Sequence, residues 1–228
     1  MICVFFLPNA VAGVMDGRMF DNLTMIDAQS ISIDMNLSLS LADRIALAVN
    51  PTSEVLDLET GQAMERETAE ARLTQELERF FAGSPFVFAA DGCTITEGSA
   101  AFVIDAENPT TNMIVWNFTA LDPDRNEAVV TIDDETGLIL KIIYRQWSDE
   151  VLTAESESGA GISYEDMNSA ALQLIKLLTE YYGLTVRLGD FELGANLAYY
   201  RADIYSTGIA VAMYGVIRPT GFTVNERV

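Results

Sequence analysis

A long amphipathic stretch followed by short extended runs occurs twice in the chain, and this repeated pattern most constrains its fold. The first stretch, residues 64–82, is predicted to be a helix because its apolar residues recur every three or four positions. Its apolar stripe consists of Ala69, Leu73, Leu77, Phe80 and Phe81. Gly83 and Pro85 then end the helix, since glycine favours the C-terminal cap and proline prevents continuation.

The second stretch begins at Ser163, where Asp166 supplies the partner of a capping box. It carries the same stripe at an offset of 101 residues. The matching pairs are Ala69 with Ala170, Leu73 with Leu174, Leu77 with Leu178, and Phe80-Phe81 with Tyr181-Tyr182. The doubled aromatic before a glycine favours an internal duplication. Two unrelated core helices with a shared apolar period are the alternative.

Extended runs with strand-like composition follow each helix. After the first they are Phe86–Ala89, Cys93–Thr96, Ala100–Ile104, Met113–Leu121, Ala128–Ile132 and Leu138–Tyr144; after the second, Leu184–Leu188, Leu197–Tyr205, Ile209–Val216 and Phe222–Val224. We therefore predict an α+β fold with two modules, 64–146 and 163–228, each placing one helix over an antiparallel sheet. The residues between them, 147–162, are rich in Ser, Glu and Gly and are predicted to form a linker.

The lead-in, residues 22–63, is predicted to contain one strand and one short helix. Polar and apolar residues alternate from Ser30 to Leu39, which is the period of a half-buried strand. Ser40 is the predicted N-cap of a helix over Leu41–Val49. A brief extended piece is expected at Val55–Leu58.

The segment 1–21 begins with a strongly apolar run, Met1–Met15, and turns polar at Asp16. The run is shorter than the roughly 20 apolar residues of a spanning helix and lacks the positive start of a signal peptide. It is either the remnant of an export or anchor segment, which the polar turn favours, or a buried N-terminal element.

Composition excludes several classes of function. The formal net charge of −21 opposes binding to nucleic acid and to anionic lipid, although solubility alone also accounts for it. The chain has no histidine, so it cannot assemble a Ser-His-Asp or Cys-His site. Its two cysteines are too few for a closed zinc site. A Cys3–Cys93 bridge is an alternative to a buried thiol at Cys93, which we favour.

The turn Asp133-Asp-Glu-Thr-Gly137, which follows Val129–Ile132 and precedes Leu138-Ile-Leu, is typical of a hairpin. Together with the preceding helix it resembles a PepSY-type domain, with a related cystatin-like arrangement of helix and sheet. The resemblance covers about residues 64–146, and the second module shares only the order of helix and strands. It implies an exposed domain of the bacterial cell envelope with a binding, inhibitory or regulatory role, and it supplies no catalytic residues.

The resulting prediction is a non-enzymatic envelope protein without a cofactor, anchored to the membrane through its N-terminus and contacting a membrane or envelope protein. Two other classes stay open: an enzyme that uses carboxylates or an oxygen-bound metal, and a structural subunit of a homo-oligomer. The sequence indicates neither a small-molecule ligand nor an oligomeric state.

Two groups of residues are candidate sites. Asp122, Asp124 and Asn126 have the oxygen spacing that begins a calcium loop, but Glu127 stands where such a loop needs glycine. A tight turn explains the same residues. Tyrosines also concentrate in the second module, and a recognition surface is predicted at Tyr199, Tyr200 and Tyr205. Strand alternation instead predicts that either Tyr199 or Tyr200 packs in the core.

Overall fold

A computed structural model describes residues 39–146, 164–194, 197–206, 209–218 and 221–225. All of these belong to one compact unit, Met35–Val228. The predicted apolar segment 1–21, nearly all of the predicted strand Ser30–Leu39 and the predicted linker 147–162 lie outside the described residues.

The described residues form three helices, α1 (Leu41–Leu47), α2 (Arg66–Phe81) and α3 (Tyr164–Tyr182). Each lies where the sequence predicted a helix. Ser40 starts α1 with a capping box, because its hydroxyl accepts from the Asp43 backbone N–H while the Asp43 side chain accepts from the Ser40 N–H. Gly183 follows α3 at a φ of 64°, the left-handed conformation of a helix C-terminal cap.

In the part of the chain that the structure describes, nine antiparallel strands form a single sheet. They are β1 (Ser53–Leu58), β2 (Thr94–Asp105), β3 (Asn112–Leu121), β4 (Glu127–Asp133), β5 (Ile139–Arg145), β6 (Thr185–Leu193), β7 (Ala198–Ser206), β8 (Ile209–Arg218) and β9 (Gly221–Val224). Their spatial order is β1-β2-β3-β4-β5-β9-β8-β7-β6.

The sheet is continuous where the sequence predicted two separate ones. Each long helix is followed by four strands, β2–β5 after α2 and β6–β9 after α3, and the two sets join through their last strands. Ile142 pairs with Val224, and Tyr144 pairs with Phe222. The chain is therefore a mixed helix-and-sheet protein with one large antiparallel sheet.

The long helices α2 and α3 lie side by side on one face of the sheet. The ring of Phe80 in α2 contacts Tyr181 of α3 at 5.2 Å between centroids and Phe222 of β9 at 6.1 Å. Phe81 contacts Tyr144 of β5 at 5.1 Å. The doubled aromatics of the two helices thus meet over the strands that join the halves of the sheet, and they form one shared core.

The short helix α1 packs on the sheet face that α2 and α3 leave uncovered, and it contacts β2, β5, β7 and β8. Strand β3, next to β2, is buried on both faces over part of its length. Trp116 and Phe118 face α2, while Met113 and Val115, which alternate with them, are buried as well.

Three strand predictions were wrong in detail. Phe86–Ala89 is not a strand, although Phe88 is buried and stacks on Phe81. The runs Cys93–Thr96 and Ala100–Ile104 are parts of one strand, β2, which begins at Thr94 and whose pairing with β3 shifts between Ile95 and Glu97. The residues between the two runs also pair with β3 in a regular ladder. The prediction divided the strand because these residues are polar, although their hydrogen bonding is continuous.

Cys93, just before β2, is a free and partly buried thiol in the structure. Burial raises the pKa of this thiol. Cys3, its candidate disulfide partner, lies outside the described residues.

Candidate functional site

The predicted tyrosine surface divides between the two faces of β7. Tyr199 and Tyr205 are 38% and 43% exposed, whereas Tyr200 is buried and donates its hydroxyl to the Thr223 carbonyl at 2.7 Å. Burial raises the pKa of Tyr200 far above its ordinary value. Tyr200 is therefore a core residue, as alternation predicted for one of the pair, and it is not part of an exposed surface.

The neighbouring strand β8 adds Tyr214 to the exposed face. In the β7–β8 register Tyr199 pairs with Val216 and Arg201 pairs with Tyr214, so all four side chains lie on the same side of the sheet. Tyr214 is 46% exposed and diagonal to Tyr199. The sequence prediction omitted Tyr214, although the alternation along β8 carries the signal.

A groove of about 670 Å³ opens beside these two tyrosines. One wall comes from the end of α1 and the turn after it, and the other comes from β7 and β8. The lining residues are Ala46, Val49, Asn50, Pro51, Tyr199, Tyr200, Ala210, Val211, Ala212, Tyr214, Gly215 and Asn225. Among the described residues its lining is apolar and aromatic with a few polar groups and without a charged side chain, which is the usual composition of a site for a small ligand.

The wall formed by α1 is held in place by the predicted hairpin turn. Arg44 of α1 is buried and donates to Asp133 Oδ1 at 2.8 Å, and it also pairs with Glu135. Asp133 is fully buried and accepts from both the backbone N–H and the hydroxyl of Thr136. A buried ion pair of this kind is maintained only when its remaining hydrogen bonds are satisfied, and here they are.

The next residue, Asp134, holds the chain that enters α2. Its carboxylate is buried and accepts from the backbone N–H groups of Gln62, Ala63 and Met64 at 2.8, 2.6 and 3.2 Å. It also accepts from the indole N–H of Trp116 at 2.8 Å. The two adjacent aspartates point to different elements, so one turn fixes both α1 and the start of α2.

Gly137 completes this turn at a φ of +72°. This backbone conformation favours glycine, and a Cβ atom there would lie 2.4 Å from Nε of Arg72, so the Arg72 side chain would have to move. The acidic Thr-Gly motif is thereby explained by local structure.

Asn225 closes the groove at the end of the sheet. Its side-chain Nδ2 donates to the Ile45 carbonyl of α1 and the Leu140 carbonyl of β5, both at 2.9 Å. Because carbonyls only accept hydrogen bonds, the orientation of this amide is fixed. Its Oδ1 is buried and has no hydrogen-bond partner among the described residues. Asn225 therefore ties α1 to the sheet and leaves one acceptor unused beside the groove.

The charged side chains described near the groove lie beside it. Arg201, opposite Tyr214, donates to Asp203 at 2.8 Å and lies 3.6 Å from Asp190. The hydrogen bond that Arg201 donates to Asp203 raises the pKa of Arg201. Arg187 packs over the ring of Tyr205 at 5.1 Å, and Tyr205 is not among the residues that line the groove.

The residues of the calcium candidate form the turn between β3 and β4. Asp122 is buried, and its carboxylate accepts from the backbone and side-chain N–H groups of Asn126 and from the Ala89 N–H. Asp124 is exposed and Arg125 adopts a φ of 67°. The carboxylate oxygens of Asp122 thus face N–H donors, as the tight-turn alternative predicts. No group of three or more Asp, Glu or Cys side chains in the described ranges could hold a metal ion.

One further carboxylate, Glu76 of α2, is buried between the two long helices. It pairs with Arg72 at 2.7 Å and Arg79 at 3.5 Å, and it accepts from the Tyr181 hydroxyl at 2.6 Å. The same hydroxyl accepts from the Ile139 N–H at 3.0 Å. This network joins α2, α3 and β5.

No protein-family model matches the chain, and neither a curated protein nor a solved structure shows significant similarity to it. Within the described ranges, no helix has both the length and the apolar content needed to cross a membrane.

Proposed function

We propose that this chain is a non-enzymatic binding protein and that the groove between α1 and the β7–β8 strands is its ligand site. The observation that carries the proposal is the pair of half-exposed tyrosines, Tyr199 and Tyr214, at the mouth of an apolar groove of about 670 Å³. Tyrosine suits recognition because its ring offers a large contact area while its hydroxyl stays hydrated.

The chemistry of the lining favours a neutral or cationic ligand with a planar or apolar body. No charged side chain of a described residue lines the groove, and the net charge of −21 disfavours anionic ligands. Ring faces attract cations as well as other rings, so a ligand with a ring or an alkylammonium group fits both features.

We further propose that the protein acts outside the cytoplasmic membrane of a bacterium, anchored through its apolar N-terminus and contacting an envelope partner. The acidic Thr-Gly hairpin over a helix-and-sheet unit, similar to PepSY-type domains, supports this location, as does the run Met1–Met15. Cell fractionation tests it: recovery of the native protein wholly in the cytosolic fraction would contradict the proposed location.

An internal duplication is also part of the proposal. It is supported by the helix match at an offset of 101 residues and by the shared order of one helix and four antiparallel strands in each half. Superposition of the helix and four strands of each half tests it. A rotation that aligns α2 with α3 but leaves the strands in a different order would contradict common origin.

Binding in the groove is tested with N-phenyl-1-naphthylamine, a neutral aromatic probe whose fluorescence rises in apolar surroundings. Tyr199→Ala and Tyr214→Ala each remove a ring and are expected to weaken binding about tenfold or more. Tyr205→Ala is the matched control, because Tyr205 is equally exposed on the same strand but does not line the groove. Equal affinity of all three variants would contradict the assignment of the site.

A further inference from the structure

A second surface, independent of the groove, lies at the outer edge of the sheet. Strand β1 is the first in the sheet order, and within the described ranges no strand pairs with its outer side. Its two central side chains, Val55 and Leu56, are 60% and 54% exposed and point to opposite faces. An exposed edge with apolar side chains on both faces is well suited to pairing with another strand.

The opposite edge of the sheet, β6, differs in having an irregular hydrogen-bond ladder. Its pairing with β7 shifts between Leu188 and Phe191, and such an irregularity discourages pairing with a further strand. Strand β1 pairs with β2 through six consecutive residues without a shift, and it contains neither proline nor lysine. Of the two edge strands that the structure describes, β1 therefore presents the more regular edge.

The hydrogen-bond pattern identifies which backbone groups of β1 face outward. The Ala106 N–H donates to the Thr52 carbonyl, so Thr52 and every second residue after it direct their backbone groups toward β2. Ser53 instead donates its N–H to Asn50, away from β2. By the same alternation, the N–H and C=O groups of Val55 and Asp57 point away from the sheet and can pair with an added strand.

The side chains of β1 define the partner. Glu54-Val-Leu-Asp57 places an acid on each side of two apolar residues, with one acid on each face of the sheet. No lysine or arginine occurs between Arg44 and Arg66. A second copy of the chain would bring the same charge of −21 to this edge, so the charge favours a basic partner over self-association.

We propose that the outer edge of β1 binds an extended peptide segment with the pattern basic-apolar-apolar-basic, added as a tenth antiparallel strand. Backbone hydrogen bonds to Val55 and Asp57 provide affinity, as in other cases of strand addition. Basic side chains opposite Glu54 and Asp57, with apolar ones opposite Val55 and Leu56, provide specificity.

The test measures binding of the peptide acetyl-Thr-Lys-Val-Val-Lys-Thr-amide to the full chain by fluorescence anisotropy. Acetyl-Thr-Val-Lys-Lys-Val-Thr-amide has the same composition and charge in the wrong order, and it is expected to bind about tenfold more weakly. Equal binding of the two peptides would show non-specific charge attraction and overturn the proposal, as would the absence of binding by the first.

Val55→Pro removes one outward N–H while keeping the net charge, and proline is tolerated on edge strands. It should weaken binding of the first peptide about tenfold, since one hydrogen bond is lost and the added strand is displaced. Val55→Thr keeps both the N–H and the side-chain shape, so it should bind within about threefold of the wild type. Unchanged binding by Val55→Pro would overturn strand addition.

Hydrogen exchange of the wild-type chain tests the same assignment without a variant. The amides of Val55 and Asp57 should exchange fast in the free protein and become protected with the first peptide, whereas those of Leu56 and Leu58 should be protected in both states. Protection of Val55 and Asp57 in the free protein, rising with protein concentration, would show that a second copy occupies the edge and would overturn the proposed occupant.

Discussion

Replacing Asp134 with asparagine is expected to destabilise the protein more than most single substitutions. The carboxylate of Asp134 accepts four hydrogen bonds from N–H groups, and the residue is 3% exposed. Asparagine has nearly the same shape, but one of its two terminal atoms is an NH₂ group. That group would face N–H donors in place of an acceptor.

The magnitude follows from the number of hydrogen bonds lost. A hydrogen bond to a charged acceptor contributes about 1.5–3 kcal/mol, and asparagine can keep only the two that its remaining oxygen accepts. Loss of the other two gives an expected destabilisation of about 4 kcal/mol, against a typical total of about 5–15 kcal/mol. With a urea dependence of about 2 kcal/mol per molar, the unfolding midpoint should fall by about 2 M.

The assay is equilibrium unfolding in urea followed by circular dichroism. Asp124→Asn is the matched control, because the Asp124 side chain is exposed in the β3–β4 turn, and its free energy of unfolding should stay within about 0.5 kcal/mol of the wild type. A loss of less than 1 kcal/mol for Asp134→Asn would refute the conclusion that this carboxylate organises the entry to α2.

Two further predictions concern buried tyrosines. Tyr181→Phe removes the hydroxyl that joins Glu76 to the Ile139 N–H, and it should lower the free energy of unfolding by about 2 kcal/mol in the same assay. The control Tyr205→Phe should change it by less than about 0.5 kcal/mol. Equal unfolding midpoints for the two variants would contradict the role of the network. Burial raises the pKa of four tyrosines above the ordinary value of 10.0, so the folded state binds these four protons more tightly than the unfolded chain does. Their contribution to the free energy of unfolding is therefore present below pH 10 and is lost as the pH rises above 10. In absorbance at 295 nm, four of the eight tyrosines should ionise only with unfolding, and ionisation of all eight in the folded state would contradict the burial. The four are Tyr144, Tyr181, Tyr182 and Tyr200.

The elements of the fold could be predicted because each carries its own periodic signal. The apolar stripe of α2 and the alternation along β3 are local patterns, and the structure confirms both within two residues of the predicted bounds. The union of the two sheets could not be predicted, since it depends on the pairing of Ile142 with Val224 and of Tyr144 with Phe222. Nothing in a strand's own sequence specifies a partner so distant along the chain.

The candidate site was predicted only in part for the same reason. Tyr199 was named from its position in a tyrosine-rich strand, but Tyr214 became its neighbour only through the register of β7 and β8. The other wall of the groove depends on the pairing of Arg44 with Asp133, which are 89 residues apart. The Oδ1 atom of Asn225 is left without a donor among the described residues because Nδ2 of the same amide donates to two carbonyls, which fixes the orientation of the side chain. No sequence pattern predicts this arrangement.

The hydrogen bonds that join Asn225 to α1 and β5 also affect how the protein folds during synthesis. Strand β9 and Asn225 leave the ribosome well after α1 and β5, yet they pair with β5 and with the Ile45 carbonyl. Until they emerge, β5 is an unpaired edge rich in isoleucine, which is the kind of strand that promotes aggregation. A nascent chain of this protein therefore passes through a vulnerable stage that lasts until β9 has paired with β5.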